Sequence, residues 1–296
     1  MFLILYMFVS TLSKRVYDDF SNQFSDFYKS QLISIQSSPP SDDTLKRPVI
    51  ITAHGFGASP FEWHDFSDYI ASNTNALVSN VYLGSHDSLT QFANSSWEDW
   101  LQPICHEYHR LVNLGFETIY LCGCSTGSTL IIQGLLNKCF RPSLPLKHIF
   151  LIDSLVEPKE KMLYWLPWIK PFMYDQSLTL NEKEIPHWLP YRPKKSLIQL
   201  LKLIKKTKSD LQQGIDFPDH IHISLFQSQD DPVIDPISHS KLHRGLSKCI
   251  TRPINSITLN SELHVFSRLS HRPNVNPSDI ENQSIFFNYV KDSIIS

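Results

Sequence analysis

Residues 117–136 read ETIYLCGCSTGSTLIIQGLL. The run Glu117–Cys122 is apolar and has the length of a buried strand, and the apolar run after Gly127 is typical of a buried helix. Between them, Gly123-Cys124-Ser125-Thr126-Gly127 has the form G-x-S-x-G in a strand–turn–helix setting. A serine on such a sharp turn is lifted clear of the sheet, and the two glycines let the strand and the helix approach without a Cβ clash. Ser125 is therefore the candidate nucleophile.

The alternative interpretation of this motif is a glycine-rich turn without chemistry. The chain contains nine glycines in 296 residues, and four of them fall into two tight clusters. Scarce glycines that cluster indicate positions where the backbone geometry excludes a Cβ. This distribution favours the catalytic interpretation.

Short apolar runs alternate with longer amphipathic stretches on both sides of the motif. The predicted strands are Val49–Ala53, Ala76–Val81, Glu117–Cys122, His148–Asp153, His222–Gln227 and Ser256–Leu259, and the predicted helices cover about residues 14–29, 59–72, 97–114, 127–138, 236–248 and 278–293. This alternation predicts an α/β fold with a mostly parallel central sheet and flanking helices. In such sheets, sites form at the carboxyl ends of the strands.

The second glycine cluster follows the predicted strand Val49–Ala53, where the sequence reads His54-Gly55-Phe56-Gly57. The tetrahedral intermediate of acyl transfer needs two hydrogen-bond donors aimed at its oxygen. The backbone N–H groups of Phe56 and Thr126 are the predicted donors of this oxyanion hole. The alternative is a plain turn or an anion-binding nest. We expect His54 to orient the loop rather than to act as the base.

A catalytic serine needs a histidine base, and the histidine needs a carboxylate that holds its tautomer. With a G-x-S-x-G motif, the expected chain order is serine, acid, histidine. The loop after the predicted strand His222–Gln227 offers Asp231 as the preferred acid and Asp230 as an alternative. Asp153, at the end of the preceding strand, is a further alternative. The loop after the last predicted strand carries His264, the predicted base.

An insertion of about residues 155–217 interrupts the alternation between the fourth and fifth predicted strands. Both of its ends join the sheet at strand ends, so we expect it to form a cap over Ser125. Its first half is rich in Trp, Tyr and Pro, and Trp165 and Trp168 are the predicted substrate-binding residues. Residues 196–211 predict an amphipathic helix. Its basic side is either solvated or, in the alternative, contacts anionic lipid or an acidic substrate surface.

Composition excludes several classes of protein. Acidic residues (29) and basic residues (27) nearly cancel, so the formal net charge is −2 and no nucleic acid is predicted as a partner. Hydrophobic residues make up 42% of the chain and charged residues 19%, which excludes a disordered chain. No pair of histidines has zinc-ligand spacing with a carboxylate, so no metal site is predicted.

The cysteines and the first residues bear on location. Five cysteines fit no disulfide framework, which predicts a reducing, cytoplasmic compartment. Met1–Leu12 is apolar but too short to span a membrane, since a helical span needs about 17–25 residues. It is interpreted as a docked helix or apolar tail, with a membrane-surface anchor as the alternative. We expect residues 1–47 to form an N-terminal segment beside one domain of residues 48–296.

With these residues assigned, the chain resembles the α/β-hydrolase family, and most of all microbial carboxylesterases and monoacylglycerol-lipase-like enzymes. The resemblance runs from about Val49 to Phe287. Trp97-Glu98-Asp99-Trp100 is similar to the W-x-D-W segment of the family, and His264-Val265-Phe266 to its H-V run. Two segments differ. Thr126 stands where the family often has Met, which leaves the backbone donor in place, and Leu83–Asp87 replaces the family's Leu-x-Gly-His-Gly.

The resemblance implies an α/β-hydrolase fold with a cap, a triad of Ser125, Asp231 and His264, and oxyanion donors at Phe56 and Thr126. It predicts hydrolysis of a carboxylic ester through an acyl-serine intermediate, without a cofactor. The predicted partner is a small-molecule ester with an apolar acyl group.

Other functions stay open at this point because the triad defines acyl transfer but not the leaving group. An aminopeptidase- or thioesterase-like hydrolase is the first alternative, and transfer of the acyl group to an acceptor other than water is another. A non-catalytic binding protein of the same fold is the alternative from a different class. Its usual mark is a missing triad residue, and here all three candidates are present.

Overall fold

The structure is a computed structural model that describes residues 32–33, 40–165, 176–177, 182, 184–249 and 251–295. The apolar segment Met1–Leu12, the helix predicted at 14–29 and Trp168 lie outside the described residues. Of the helices within the described ranges, none combines the length and the hydrophobicity needed to cross a bilayer.

The strand bounds are β1 Val49–Ala53, β2 Leu77–Val81, β3 Ile119–Cys124, β4 Leu146–Ile152, β5 Gln176–Ser177, β6 Tyr191–Arg192, β7 His222–Ser228 and β8 Asn255–Leu259. Six of these strands form a parallel central sheet, in the order β2-β1-β3-β4-β7-β8. Strands β5 and β6 form a separate antiparallel pair in the insertion. The predicted fold class, with its parallel central sheet, is confirmed. The main shift in bounds is at β3, which continues to the residue before Ser125.

Helices connect the strands and cover the sheet. Their bounds are α1 Asp42–Leu45, α2 His64–Asn73, α3 Leu89–Asn94, α4 Trp97–Leu114, α5 Thr126–Leu136, α6 Lys194–Gln213, α7 Ile237–Leu246 and α8 Pro277–Ile295, with short 3₁₀ helices at Pro60–Trp63, Lys161–Trp165 and Ile185–His187. The short helix α3 has no counterpart among the predicted helices.

Helix α4 shows how local sequence sets an element. The Ser96 hydroxyl accepts the N–H of Asp99, and the Asp99 carboxylate accepts the N–H of Ser96, which is a capping box. The helix ends at Gly115, whose φ of 97° lies in the left-handed region that glycine adopts without strain. Because both signals are local, the predicted helix at 97–114 has the observed bounds.

Two apolar layers enclose the sheet. Alternate residues of β1 face opposite layers, with Val49 and Ile51 on one side and Ile50 on the other. Helices α4, α5 and α6 supply the first layer, and α2 and α8 supply the second, for example through Phe66 and Phe286. Since both faces are covered, the central strands are buried throughout, and this is why they form continuous apolar runs in the sequence.

The insertion leaves the sheet after β4 and returns before β7. Its described part contains two 3₁₀ helices, the β5–β6 pair and α6. Helix α6 buries Leu197, Leu200 and Ile204 and exposes Lys202 and Lys205. The sequence pattern of an apolar face and a basic solvent side is therefore present in α6. The boundary between an N-terminal segment of residues 1–47 and one domain of residues 48–296 stays a prediction.

Candidate active site

Ser125 lies at the turn between β3 and α5. Its backbone has φ 51° and ψ −118°, a conformation that L-residues adopt only under strain. A Cβ on Gly123 would lie 2.7 Å from the backbone of Ser128, and one on Gly127 would lie 2.3 Å from the carbonyl oxygen of Ala53. Only glycine fits either position, so the steric argument made from the sequence applies here.

The structure brings Ser125, His264 and Asp231 together. Ser125 Oγ lies 3.0 Å from Nε2 of His264, and His264 Nδ1 lies 2.8 Å from Oδ2 of Asp231. With Asp231 ionised, Nδ1–H donates to the carboxylate, so Nε2 is free to accept the serine proton. The other carboxylate oxygen of Asp231 accepts the N–H groups of Val233 at 2.7 Å and Ile234 at 3.0 Å. These bonds hold the carboxylate in place.

The charge environment of His264 favours its protonated form. Burial lowers the pKa of His264, but the hydrogen bond that His264 donates to Asp231 and the negative charge of that carboxylate outweigh burial, so that the pKa lies above its ordinary value. The carboxylates of Asp153 and Glu62 act in the same direction. An imidazolium formed during a reaction would therefore be stabilised at this position.

The alternative acids occupy different positions. Asp230 is exposed, and its backbone N–H donates to the carbonyl of Ser261. Asp153 is fully buried beside the other candidates but does not hydrogen-bond His264. Its Oδ1 accepts the N–H of Ser228 at 2.7 Å, and its Oδ2 accepts the N–H of Val265 at 3.2 Å. Asp153 therefore ties the end of β7 to the loop that carries His264. Burial and the charge of Asp231 raise the pKa of Asp153.

Asp153, Asp231 and His264 each offer one atom that could bind a metal, and these atoms all lie within 4.8 Å of one another. In the observed geometry the same atoms already have hydrogen-bond partners. Nδ1 of His264 is used by Asp231, and both oxygens of Asp153 accept hydrogen bonds from the backbone. A metal at Nδ1 of His264 would have to replace the proton that this nitrogen donates to Asp231.

The loop after β1 faces the turn at Ser125. The backbone N–H groups of Phe56 and Thr126 have no hydrogen-bond acceptor among the described residues, and both residues line the cavity next to Ser125. Gly57 has φ 67°, which gives this loop its shape. Both predicted oxyanion donors are thus available to a bound oxygen.

His54 is buried behind this loop. Nδ1 lies 2.9 Å from the carbonyl oxygen of Gly55 and donates to it, while Nε2 accepts the N–H of Leu83 at 3.1 Å. Burial, together with the neighbouring His86, lowers the pKa of His54 well below its ordinary value. A neutral ring bonded to two backbone groups positions the loop, which matches the orienting role expected from the sequence.

Sequence reasoning missed Glu62. This buried carboxylate accepts the N–H of Gly55 at 2.6 Å and the thiol hydrogen of Cys124 at 3.1 Å, and it lines the same cavity as Ser125. It joins the loop after β1 to the end of β3. Glu62 lies in an ordinary helix start, Pro60–Trp63, and no local pattern distinguishes it from a solvated glutamate.

A cavity of about 260 Å³ opens at Ser125 and His264. Most of its wall is apolar and comes from the insertion and the loops beside it, with Leu155, Met162, Leu163, Leu197, Leu200 and Val233 among the lining residues. The predicted lining residue Trp165 is 63% exposed and is not part of this wall. Trp188, further along the insertion, lines the cavity instead. Short elements explain the difference. Trp165 ends a five-residue 3₁₀ helix and Trp188 follows a three-residue one, and neither is long enough for a periodic pattern to indicate which way a side chain faces.

No family model and no curated protein matches this sequence. Solved structures do match its fold. A structure described as belonging to LipS and LipT, two metagenome-derived lipolytic enzymes, is 16% identical, covers 84% of this chain and 94% of its own, and has a TM-score of 0.66. The monoacylglycerol lipase of Paleococcus ferrophilus is 14% identical, with 84% and 96% coverage and a TM-score of 0.61.

A soluble variant of the monoglyceride lipase of Saccharomyces cerevisiae, solved with a substrate analogue, is 12% identical, with 89% coverage of each chain and a TM-score of 0.60. At these identities the similarity establishes the fold alone. The chain has the α/β-hydrolase fold, and the resemblance drawn from its sequence is confirmed at that level.

Proposed function

We propose that the protein is a serine hydrolase that cleaves carboxylic esters through an acyl-Ser125 intermediate. The observation that carries this proposal is the continuous hydrogen-bonded path from Asp231 through His264 to Ser125. Ser125 has a strained backbone and lines a cavity, and its hydroxyl is bonded to His264. The N–H groups of Phe56 and Thr126 beside it have no acceptor among the described residues. A structural role alone does not account for this combination.

The first half of the reaction transfers the acyl group to the protein. Ser125 Oγ attacks the ester carbonyl carbon while Nε2 of His264 takes the hydroxyl proton. The carbonyl oxygen becomes an oxyanion, which accepts hydrogen bonds from the N–H groups of Phe56 and Thr126. Asp231 stabilises the imidazolium that forms. The C–O bond to the alcohol then breaks, and Nε2–H gives its proton to the leaving oxygen.

The second half releases the acid. A water molecule attacks the acyl carbon, with Nε2 of His264 as its base, and passes through a second oxyanion at the same two donors. Breaking the bond to Oγ returns the proton to Ser125 and frees the carboxylic acid. All of the chemistry is thus assigned to side chains and backbone groups of this chain.

The apolar wall of the cavity supports an ester with an apolar acyl chain. The similar solved structures include lipolytic enzymes and monoglyceride lipases, which agrees with this class of substrate. We further propose that the insertion acts as the cap that forms this wall. All five cysteines are free of disulfide bonds. The cytoplasmic location stays a prediction.

A panel of p-nitrophenyl esters, anilides and thioesters of equal acyl chains tests the proposal, with Ser125→Ala as the control. We expect turnover of the esters by the wild type, and a weaker or absent response to anilides. Faster turnover of the anilides than of the esters would favour the aminopeptidase-like alternative, and faster turnover of the thioesters would favour the thioesterase-like one. An added alcohol that captures the acyl group in competition with water would indicate a transferase. The proposal would be contradicted if the wild type turned over none of these substrates and a fluorophosphonate did not label it.

The pH dependence of kcat/KM follows from His264. The imidazole must be neutral to accept the proton of Ser125, and its pKa lies above the ordinary value of 6.5. Activity should therefore fall as the pH drops through a midpoint above 6.5, and level off at higher pH. In Glu62→Gln, a carboxylate that stabilises the imidazolium is lost, so the midpoint should move to lower pH. A wild-type midpoint below 6.5 would contradict this account of the charge environment.

The role of the cavity is tested by Leu200→Trp. The indole would occupy space that an acyl chain needs, so the ratio of kcat/KM for octanoyl over acetyl esters should fall by about tenfold or more. Lys205→Trp, on the exposed side of the same helix, is the matched control and should keep the ratio. Trp165→Ala should also keep it, because the ring is exposed. A change of ratio in Trp165→Ala, but not in Leu200→Trp, would restore the sequence-based assignment.

A further inference from the structure

Arg192 brings a guanidinium into the cavity at Ser125. The residue ends β6, Pro193 separates it from helix α6, and its side chain lines the same cavity as Ser125 and His264. The neighbouring wall is apolar, with Leu197 and Leu200 coming from the first two turns of α6. A permanent positive charge in such a wall calls for an explanation.

No hydrogen bond or ion pair joins the Arg192 side chain to another residue in the described part of the chain. Its Nε is buried and has no acceptor. Burial lowers the pKa of Arg192, and no neighbouring carboxylate opposes this effect. The other arginines near the site are engaged: Arg268 pairs with Glu184 at 3.4 Å, and Arg272 donates to the carbonyl oxygen of Val265 at 2.7 Å.

Two carboxylates also line the cavity, and both have other partners. Glu62 accepts the N–H of Gly55 and the thiol of Cys124. Glu160 accepts the N–H of Met162 at 2.9 Å and is exposed. Neither forms an ion pair with Arg192, so the guanidinium has no counter-charge within the described residues.

Arg192 is half-buried, with its Nε fully out of water. A charge withdrawn from water without a partner is destabilising, and a ligand of opposite charge would offset that cost. The fork of N–H groups on a guanidinium fits the two oxygens of a carboxylate or a phosphate. We propose that Arg192 binds an anionic oxygen group of the substrate, while the apolar wall holds its hydrocarbon part. The substrate is then an amphiphilic ester with a carboxylate or phosphate away from the scissile bond. This inference rests on the proposed function, because it names the substrate class of that site.

Paired substrates test the inference in the active protein. The mono-p-nitrophenyl ester of octanedioic acid carries a free carboxylate, and the p-nitrophenyl ester of octanoic acid has the same chain length and no charge. The wild type should prefer the anionic ester by kcat/KM. Arg192→Met should lower that preference by about 10- to 100-fold, which is the range of a charge-assisted hydrogen bond. Arg192→Lys should retain part of it. Lys202→Met, which removes an exposed positive charge from α6, is the matched control.

Binding to the Ser125→Ala variant separates this inference from the proposed function, because it does not require turnover. Calorimetry with octanoate, octyl phosphate and octanol should show tighter binding of the two anions, which Arg192→Met in the same background abolishes. The anion that binds more tightly indicates whether the substrate carries a carboxylate or a phosphate. The inference would be overturned if Arg192→Met weakened the binding of the anions and of octanol equally. It would also be overturned if the Ser125→Ala parent did not bind the anions more tightly than octanol. If neutral esters were still hydrolysed in that case, the proposed function would be unaffected.

Discussion

Replacing Ser125 by alanine is expected to lower kcat for a p-nitrophenyl ester by about 10⁶-fold, because the covalent route depends on its hydroxyl. The hydroxyl is bonded to Nε2 of His264 at 3.0 Å, and no other hydroxyl among the described residues bonds to that nitrogen. The residual rate should reflect only the oxyanion donors and substrate binding. Steady-state kinetics, with folding checked by circular dichroism, gives the measurement.

Labelling by a fluorophosphonate supplies an independent readout for the same residue. The wild type should be labelled with one probe per chain, and Ser125→Ala should not be labelled. Ser240→Ala, which changes an exposed serine on α7, is the matched control and should be labelled like the wild type. Labelling that persists in Ser125→Ala would show that the nucleophile lies elsewhere.

Replacing Asp231 by asparagine is expected to keep the fold and to lower kcat by about 10⁴-fold near neutral pH. The carboxylate accepts Nδ1–H of His264 and holds the tautomer in which Nε2 faces Ser125. An amide can instead donate to Nδ1, which places the ring proton on Nε2 and leaves no base for the serine. Kinetics at pH 7 to 8, together with a thermal melt, gives the measurement.

The other two aspartates serve as controls for this assignment. Asp230→Asn should cost tenfold or less in kcat, since its side chain is exposed. Asp153→Asn should also cost tenfold or less, because this side chain does not hydrogen-bond His264, although its single amide oxygen can keep only one of the two backbone bonds, to Ser228 or to Val265. If Asp153→Asn were the variant that loses activity, the acid would lie one strand earlier than proposed.

Much of the fold was predictable because the signals are local. Strands buried on both faces form continuous apolar runs, and the six predicted strands are all present in one parallel sheet. Helix α4 has the predicted bounds because a capping box and a left-handed glycine define its ends. The short helix α3, with six residues, has too few turns for a periodic pattern.

The site shows the same division between local and distant effects. Ser125 could be proposed as the nucleophile from its neighbours alone, because the G-x-S-x-G pattern is local. The two glycines are required for different reasons: a Cβ on Gly123 would meet Ser128 within the turn, whereas one on Gly127 would meet Ala53 of β1. Asp153 and Asp231 could not be ranked with the same security. Both follow buried strands of neighbouring position in the sheet, and only the distance to His264 distinguishes them.

The sequence by itself determined the parallel sheet, the turn that carries Ser125 and the loops that follow each strand, because sterics and burial act over a few residues. Only the tertiary structure decided which carboxylate meets His264, across 33 residues of chain, and that His264 reaches Ser125 across 139. It also decided that Glu62 and Arg192 face the cavity while Trp165 faces solvent. These outcomes depend on how separate elements pack, because the elements that carry these side chains are too short for a local pattern to encode side-chain direction.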